Sequence, residues 1–161
     1  MRYRKGTILK VFRGFYFHFG VYAGAGKVIH FTSNGENEMD ADSADVMETS
    51  YERFAKGDVV QVDNGEEATF EPEEIVRRAK AAVGTMRGRY NLIHNNCEHF
   101  ANWCRCGNPV SHQKIFVENF LSVLTSGSSF WQGVQEAFFQ NPSGSVNRFY
   151  ESANNKLVKK S

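Results

Sequence analysis

The first third of the chain alternates apolar and polar residues with the two-residue period of β-strands. This alternation, with its aromatic and β-branched content, predicts strands near residues 7–12, 15–22, 27–31 and 59–63. Residues 23–26, a small-residue run with two glycines, are typical of a hairpin turn. We therefore expect an antiparallel sheet in the first half of the chain.

Helical spacing replaces this alternation from Pro72 onward. The proline and the two acids after it are typical of a helix start, and Gly84 ends the pattern. A second helix is predicted between Asn96, which can cap it, and Gly107. Its apolar side carries Cys97, Phe100, Ala101 and Cys104. An antiparallel sheet packed against such helices is an α+β fold.

An acidic segment, residues 36–48, contains no lysine or arginine and is interpreted as a solvated loop. Asp40, Asp42 and Asp45 have a spacing that invites a calcium assignment. They lack the glycine and the terminal glutamate of an EF-hand loop. We therefore expect no metal here.

The composition changes after residue 109, which divides the chain into residues 1–110 and a helical extension of residues 111–161. The extension carries two short helical patterns rich in aromatic residues. Its end, with Lys156, Lys159 and Lys160, is polar enough to fray. The helices either pack on the first unit or make peripheral contact with a membrane surface, and we favour packing.

Length, charge and cysteine content narrow the class of protein. A chain of 161 residues suits one compact unit, and a net charge of +1 gives no reason to expect a nucleic-acid partner. The three cysteines, all between positions 97 and 106, do not form a disulfide framework. The chain has no continuous apolar signal core and no run of about 18 apolar residues. We expect a cytoplasmic protein, peripheral at membranes at most, without signal peptide or transmembrane helix.

Cys97 is the strongest candidate for chemistry. On the first turn of the predicted helix, its thiol would feel unpaired N–H groups and the positive end of the helix dipole, and both favour the nucleophilic thiolate. The alternative is a buried structural cysteine. His99, Cys104 and Cys106 supply metal ligands, but not at the spacing of a closed zinc site, so we expect no metal and no cofactor.

Two histidines on neighbouring predicted strands could serve such a cysteine. If the hairpin closes around Gly24, His18 faces His30 directly, with Cβ atoms about 4.5–5.5 Å apart. A register shifted by one residue would place them on opposite faces unless a glycine bulge restores the match. His94 and His99, close to the cysteine in sequence, are interpreted as structural or surface residues.

Residues 11–22, 28–30 and 96–100 together resemble a known family, and the last segment reads Asn-Cys-Glu-His-Phe. They are similar to the lecithin:retinol acyltransferase family, also called the H-box/NC group. That family is similar to the NlpC-type branch of papain-like cysteine enzymes, with the chain order circularly permuted. The resemblance extends from about residue 5 to residue 107 and implies a permuted papain-like fold.

The resemblance also implies a Cys-His-His triad. Cys97 would be the nucleophile, His18 the general base that takes its proton, and His30 the residue that orients His18. The implied activity is thiol acyl transfer through a Cys97 acyl-thioester. It would use a glycerophospholipid acyl donor, with a phospholipase A or acyltransferase outcome. Two alternatives stay open: a papain-like amidase or peptidase, and a non-catalytic interaction module like the H-box/NC 2A proteins of certain picornaviruses.

Overall fold

The computed structural model describes residues 3–14, 16–33, 43–85, 93–107 and 154–158, and the side chains of the 93–107 segment from residue 97 onward. These residues form an α+β fold with one open antiparallel sheet. In the part of the chain that the structure describes, no helix is both long and apolar enough to cross a membrane.

Five strands form the sheet. In chain order they are β1 (Ile8–Phe12), β2 (Phe17–Gly24), β3 (Lys27–Thr32), β4 (Asp45–Ser50) and β5 (Val60–Val62). Their spatial order is β4-β3-β2-β1-β5, with antiparallel neighbours throughout. The four strands predicted from alternation are confirmed, with small shifts at their ends.

Strand β4 was missed, because the prediction of a solvated acidic loop is wrong for residues 45–48. They pair with residues 29–32, the C-terminal part of β3. Asp45 is buried and its carboxylate accepts the Val46 N–H at 2.7 Å, so it satisfies the backbone rather than facing water. The many acidic residues obscured the strand pattern of this segment, although its Val46 and Thr49 are buried. Residues 34–42 lie outside the described residues.

The hairpin between β2 and β3 does not have the predicted register. Gly20, not His18, lies opposite His30, and a bulge between Tyr22 and Gly24 adjusts the pairing near the turn. His18 therefore lies two residues before Gly20, the β2 residue that is directly opposite His30. Because side chains alternate between faces, a shift of two residues keeps both histidines on the same face.

Three helices complete the main body: α1 (Tyr51–Ala55), α2 (Pro72–Ala82) and α3 (Ile93–Cys106). The predicted helix at Pro72 is confirmed. Helix α3 begins earlier than predicted, so Asn96 lies inside it and is not its N-cap. Cys97 therefore lies on the second turn of the helix.

The sheet has two buried faces. The helix-covered face packs against α2 and α3, and its buried residues are Ile8, Phe19, Val21, Ile29, Phe31 and Val46. The opposite side, here termed the histidine face, packs against α1 through Phe54. Its buried residues are Leu9, Val11, His18, Tyr22, Val28, His30 and Thr49.

Residues 154–158 are helical and return to the core. Leu157 is 7% exposed and belongs to the apolar cluster of the helix-covered face. Its carbonyl accepts a hydrogen bond from Arg77 at 3.4 Å, and Lys156 donates to the Val83 carbonyl. The prediction that the end frays is wrong for these residues, because Leu157 anchors them. The two aromatic helices predicted between residues 115 and 139 lie outside the described residues.

Candidate active site

The structure brings two of the predicted site residues, His18 and His30, into direct contact. His18 Nε2 lies 2.7 Å from His30 Nδ1, and the ring planes meet at 81°. Both side chains are buried, with 1% and 0% exposed. The contact is diagonal across β2 and β3, because Gly20 takes the place opposite His30.

A third residue extends this contact across β4. His30 Nε2 lies 2.8 Å from Thr49 Oγ1, and the Thr49 hydroxyl donates to the Ser50 carbonyl at 3.2 Å. Thr49 lies opposite Val28, so it too is diagonal to His30. His18, His30 and Thr49 form one polar row across three strands. Sequence analysis missed Thr49 because it missed β4.

Phe54 of α1 covers this row. Its ring centroid lies 5.4 Å from that of His18 and 5.2 Å from that of His30. Arg13 fixes the end of α1 by donating to the carbonyls of Phe54 and Ala55, at 2.6 and 3.1 Å. Neither residue was given a role from the sequence. For Arg13, the signal in the sequence was its position within residues 11–22, a segment that carries the family resemblance.

The environment of His30 keeps its ring neutral. Burial is the largest cause that holds the pKa of His30 well below its ordinary value, and the charges of His18, Arg53, Arg13 and Lys56 act in the same direction. A neutral imidazole donates from one ring nitrogen and accepts at the other. His30 therefore has one hydrogen bond of each kind to offer.

Cys97 lies at the edge of β2. Its Sγ is 3.7 Å from the Phe17 carbonyl oxygen. The main chain of Tyr22 bonds to the β1 side, so the main chain of Phe17 and Phe19 points the opposite way, toward β3. The ladder with β3 begins only at Gly20. The sulfur therefore occupies the gap that β3 leaves, level with the sheet and beside the backbone that carries His18.

Burial controls the acidity of this thiol. It raises the pKa of Cys97 from 9.0 to about 12, and the charge of Glu98 adds to the rise. The backbone N–H groups of Phe19, Glu98 and Cys97 act in the opposite direction, and lower the pKa by less. Desolvation outweighs these N–H groups, so the thiol is less acidic than its helix position alone indicates.

The two other cysteines of α3 have surroundings of their own. Cys104 is buried on the apolar side, and burial raises the pKa of its thiol. Cys106 Sγ donates to the Asn102 carbonyl at 3.1 Å. Within the described ranges, no three His, Cys, Asp or Glu residues group to hold a metal ion. The side chain of His94 lies outside the described residues.

Known proteins share this sequence pattern. The family model for lecithin retinol acyltransferase matches residues 1–110. Rat lecithin retinol acyltransferase is 30% identical over 154 residues, which cover 76% of this chain and 66% of the relative. Human phospholipase A and acyltransferase 3 is 32% identical over 123 residues, or 68% of this chain and 75% of the relative. Mouse phospholipase A and acyltransferase 3 is 34% identical over 122 residues, with the same shares.

The chain spans about two thirds of the length of the lecithin retinol acyltransferases, 66% of the rat protein, and three quarters of phospholipase A and acyltransferase 3. The match covers β1 to α3, and so includes His18, His30 and Cys97. A family model over more than half of the chain and relatives at about 30% identity agree with the resemblance of the three sequence segments. The chain belongs to the lecithin retinol acyltransferase family.

Proposed function

We propose that this chain is a cysteine-dependent acyl-transfer enzyme with a Cys97-His18-His30 triad and a glycerophospholipid acyl donor. One observation carries the proposal. The Cys97 sulfur lies at the edge of β2, against the backbone of Phe17 and Phe19 on both sides of His18, and His18 Nε2 is 2.7 Å from His30 Nδ1. A sulfur level with the sheet is accessible to a ring from the histidine face.

In the first half-reaction, His18 Nδ1 takes the proton of the Cys97 thiol as the sulfur attacks the ester carbonyl carbon. The tetrahedral intermediate collapses, its carbon–oxygen bond to the lysophospholipid breaks, and His18 returns the proton to that leaving oxygen. An acyl-thioester on Cys97 results. The N–H group of Phe19, which lowers the thiol pKa, is a donor available to the developing oxyanion.

In the second half-reaction, an acceptor attacks the thioester carbonyl and gives its proton to His18. The carbon–sulfur bond breaks, and His18 returns this proton to the Cys97 sulfur. Water as acceptor gives a phospholipase A outcome, and an alcohol or amine gives an acyltransferase outcome. The same residues serve both outcomes.

The raised pKa of Cys97 constrains this mechanism. A thiol with a pKa of about 12 carries almost no thiolate at neutral pH. The proton must therefore move to His18 as the sulfur attacks, rather than beforehand. This makes His18 a base in the rate-determining chemistry, not the partner of a standing ion pair.

The proposal extends to fold and domain organisation. Helix α3, with the nucleophile, follows the strands that carry the base, which is the chain order of a permuted papain-like fold. Residues 1–110 would form the catalytic domain, and residues 111–161 the C-terminal extension. Contact of that extension with a membrane stays part of the proposal.

A lipid substrate agrees with an apolar surface beside the sulfur. The relatives are named phospholipase A and acyltransferase. Phe12, which is 52% exposed, packs on Phe17 with ring centroids 5.3 Å apart. The carbonyl of Phe17 is the one that Cys97 contacts. The pair offers a fatty acyl chain an apolar surface within reach of the reacting sulfur.

One observation favours a second candidate function, the non-catalytic interaction module. Cys97 is completely buried and its thiol is protonated, as in a structural cysteine. The polar row of His18, His30 and Thr49 weighs against this candidate. Burying three linked polar side chains costs stability that an apolar core would not incur.

Mass spectrometry of the intact protein tests the proposal. The protein is incubated with phosphatidylcholine vesicles and, separately, with a small activated ester, and the site of any added mass is located by peptide mapping. We expect an acyl increment on Cys97, none in Cys97→Ala, and an unchanged increment in the matched control Cys106→Ala. Acylation that persists in Cys97→Ala would defeat the proposal, as would no acylation of the wild-type protein by either reagent.

A further inference from the structure

The row of three polar side chains has a direction. We propose that Thr49 is a positioning residue that fixes which nitrogen of His18 carries the proton, and so leaves a lone pair on His18 Nδ1 for the Cys97 proton. The inference rests on the proposed function for the role of His18 as a base. The assignment of the protons rests on the hydrogen bonds alone.

The Ser50 carbonyl, at the end of the row, can only accept a hydrogen bond. The Thr49 hydroxyl lies 3.2 Å from it and has a single hydrogen, which it donates to this oxygen. Toward His30 Nε2, at 2.8 Å, the Thr49 oxygen must then accept. His30 Nε2 therefore carries the ring proton and is the donor.

The position of the proton on His30 determines the position of the proton on His18. A neutral His30 with its proton on Nε2 has a lone pair on Nδ1. That nitrogen lies 2.7 Å from His18 Nε2, so His18 Nε2 carries a proton and donates it. In the neutral His18 ring, Nδ1 is then the unprotonated nitrogen. This is the tautomer that can take a proton from a thiol.

The opposite arrangement is the only other way to satisfy both contacts with neutral rings. If Thr49 donated to His30 Nε2, His30 Nδ1 would carry the proton and donate it to His18 Nε2. His18 Nδ1 would then hold the ring proton and could not act as a base. The Ser50 carbonyl selects between the two arrangements because it engages the Thr49 hydrogen.

The surroundings keep the row in this state. Thr49 is buried and β-branched, so its hydroxyl has few orientations and little contact with water. The positive groups around His30 are Arg13 after β1 and Arg53 and Lys56 at α1. They oppose a second proton on His30, which would remove its acceptor. When His18 Nδ1 takes the Cys97 proton, the bond from His18 Nε2 to His30 persists unchanged.

Nitrogen-15 NMR of the histidine rings tests the inference on the wild-type protein. Two-bond nitrogen–proton correlations distinguish a protonated Nε2 from a protonated Nδ1. We expect the Nε2–H form for both His18 and His30, with His18→Gln and His30→Gln used only to assign the signals. A wild-type His18 in the Nδ1–H form overturns the inference without any variant.

Two substitutions test the role of the hydroxyl. Thr49→Val keeps the shape and removes the acceptor, so we expect His18 to show a mixture of both tautomers and kcat to fall about tenfold with KM unchanged. Thr49→Ser keeps the hydroxyl and should restore both the Nε2–H form and kcat to within about twofold. Unchanged tautomers in Thr49→Val overturn the inference, and so does a Thr49→Ser variant as slow as Thr49→Val.

The outcomes also separate this inference from the proposed function. If Cys97→Ala still transfers acyl groups while His18 shows the Nε2–H form, the triad mechanism fails and the proton assignment stands. If Cys97→Ala is inactive while wild-type His18 shows the Nδ1–H form, the triad stands and Thr49 does not position its base.

Discussion

The two faces of the central sheet are equally buried but are built from different interactions. The helix-covered face is lined by apolar side chains such as Val21 and Ile29, whose burial stabilises the fold without a fixed direction. The histidine face carries His18, His30 and Thr49, linked end to end by hydrogen bonds. A change on the first face should alter stability, whereas a change on the second should alter chemistry.

Cys97 is packed on the helix-covered face and reaches the edge of β2, and its burial raises the pKa of its thiol. Its helix packs on the helix-covered face, where desolvation raises the pKa of the thiol. Its sulfur lies level with the sheet, at the gap beside the strand that carries His18. The apolar face thus keeps the Cys97 thiol protonated, and in the proposed mechanism the polar face would supply the base.

The largest expected effect comes from the base. His18→Ala should lower acyl transfer at least about 10³-fold, because the thiol then has no proton acceptor. Ile29→Val, next to His30 but on the helix-covered face, should cost about 0.5–1.5 kcal/mol of unfolding free energy and leave the rate unchanged. Rates on phosphatidylcholine vesicles and urea unfolding measure the two quantities. A His18→Ala variant with a tenth of the wild-type rate would refute the division between the faces.

A smaller effect is expected where the histidine face is most tightly packed, at Gly20. A Cβ there would lie 2.6 Å from Val28 Cγ1, 2.9 Å from Phe54 Cε2 and 3.2 Å from His30 Cβ. Gly20→Ala should therefore displace Phe54 and lower the unfolding free energy by about 1–3 kcal/mol, with loss of activity.

The control for Gly20→Ala relieves the clash of the new methyl group with the Phe54 side chain. Adding Phe54→Leu should recover part of the lost activity, because a smaller side chain leaves room for the new methyl group. Steady-state rates and thermal unfolding of both variants give the comparison. If Gly20→Ala is as active as the wild type, the packing around His30 is not as constrained as its contacts indicate.

Thiol reactivity sharpens the comparison without substrate. Because the pKa of Cys97 is raised to about 12, it should alkylate slowly at pH 7 and more slowly than Cys106, which is partly exposed. The helix argument from sequence alone predicts the reverse order. Mass spectrometry of the folded protein with iodoacetamide measures both sites, and the urea-unfolded chain, where all three thiols should react alike, is the control.

The same pKa gives a dependence of stability on pH. A thiol whose pKa rises on folding stabilises the folded state fully below its unfolded pKa of 9.0 and loses this contribution as pH increases toward 12. Unfolding free energy should therefore fall above about pH 9, and less steeply in Cys97→Ala. Urea unfolding at pH 8, 9 and 10 measures the slopes. Equal slopes for the two proteins would contradict the raised pKa.

Most of the sheet, and the placement of His18 and His30 on one face of it, could be predicted from the sequence, because two-residue alternation and a glycine turn are local signals. Strand β4 was not predicted because its acidic residues were given more weight than its alternation. Thr49 was therefore not predicted either. The hairpin register depended on a bulge that turn composition does not specify. The acidity of Cys97 could not be predicted because burial is set by the packing of the whole chain, whereas helix position can be inferred locally.

The smallest expected effect on the rate of acyl transfer concerns Arg13, which supports the histidine face from outside the row. Its guanidinium donates to the carbonyls of Phe54 and Ala55, and it pairs with Asp58, which is exposed. Arg13→Lys cannot reproduce the fork of donors and should cost about 1.5–3 kcal/mol of unfolding free energy. Asp58→Asn keeps both carbonyl bonds and should cost less than about 1 kcal/mol, because an exposed ion pair contributes little.

Urea unfolding of Arg13→Lys, Asp58→Asn and the double variant separates the carbonyl bonds from the ion pair. We also expect Arg13→Lys, but not Asp58→Asn, to slow acyl transfer severalfold, because Phe54 then loses the support that holds it against both histidine rings. An Asp58→Asn variant that loses as much stability and activity as Arg13→Lys would show that the ion pair, not the carbonyl bonds, fixes α1. The packing of the histidine face would then depend on a surface ion pair. Because added salt screens such a pair, the rate of acyl transfer should decline as salt is added.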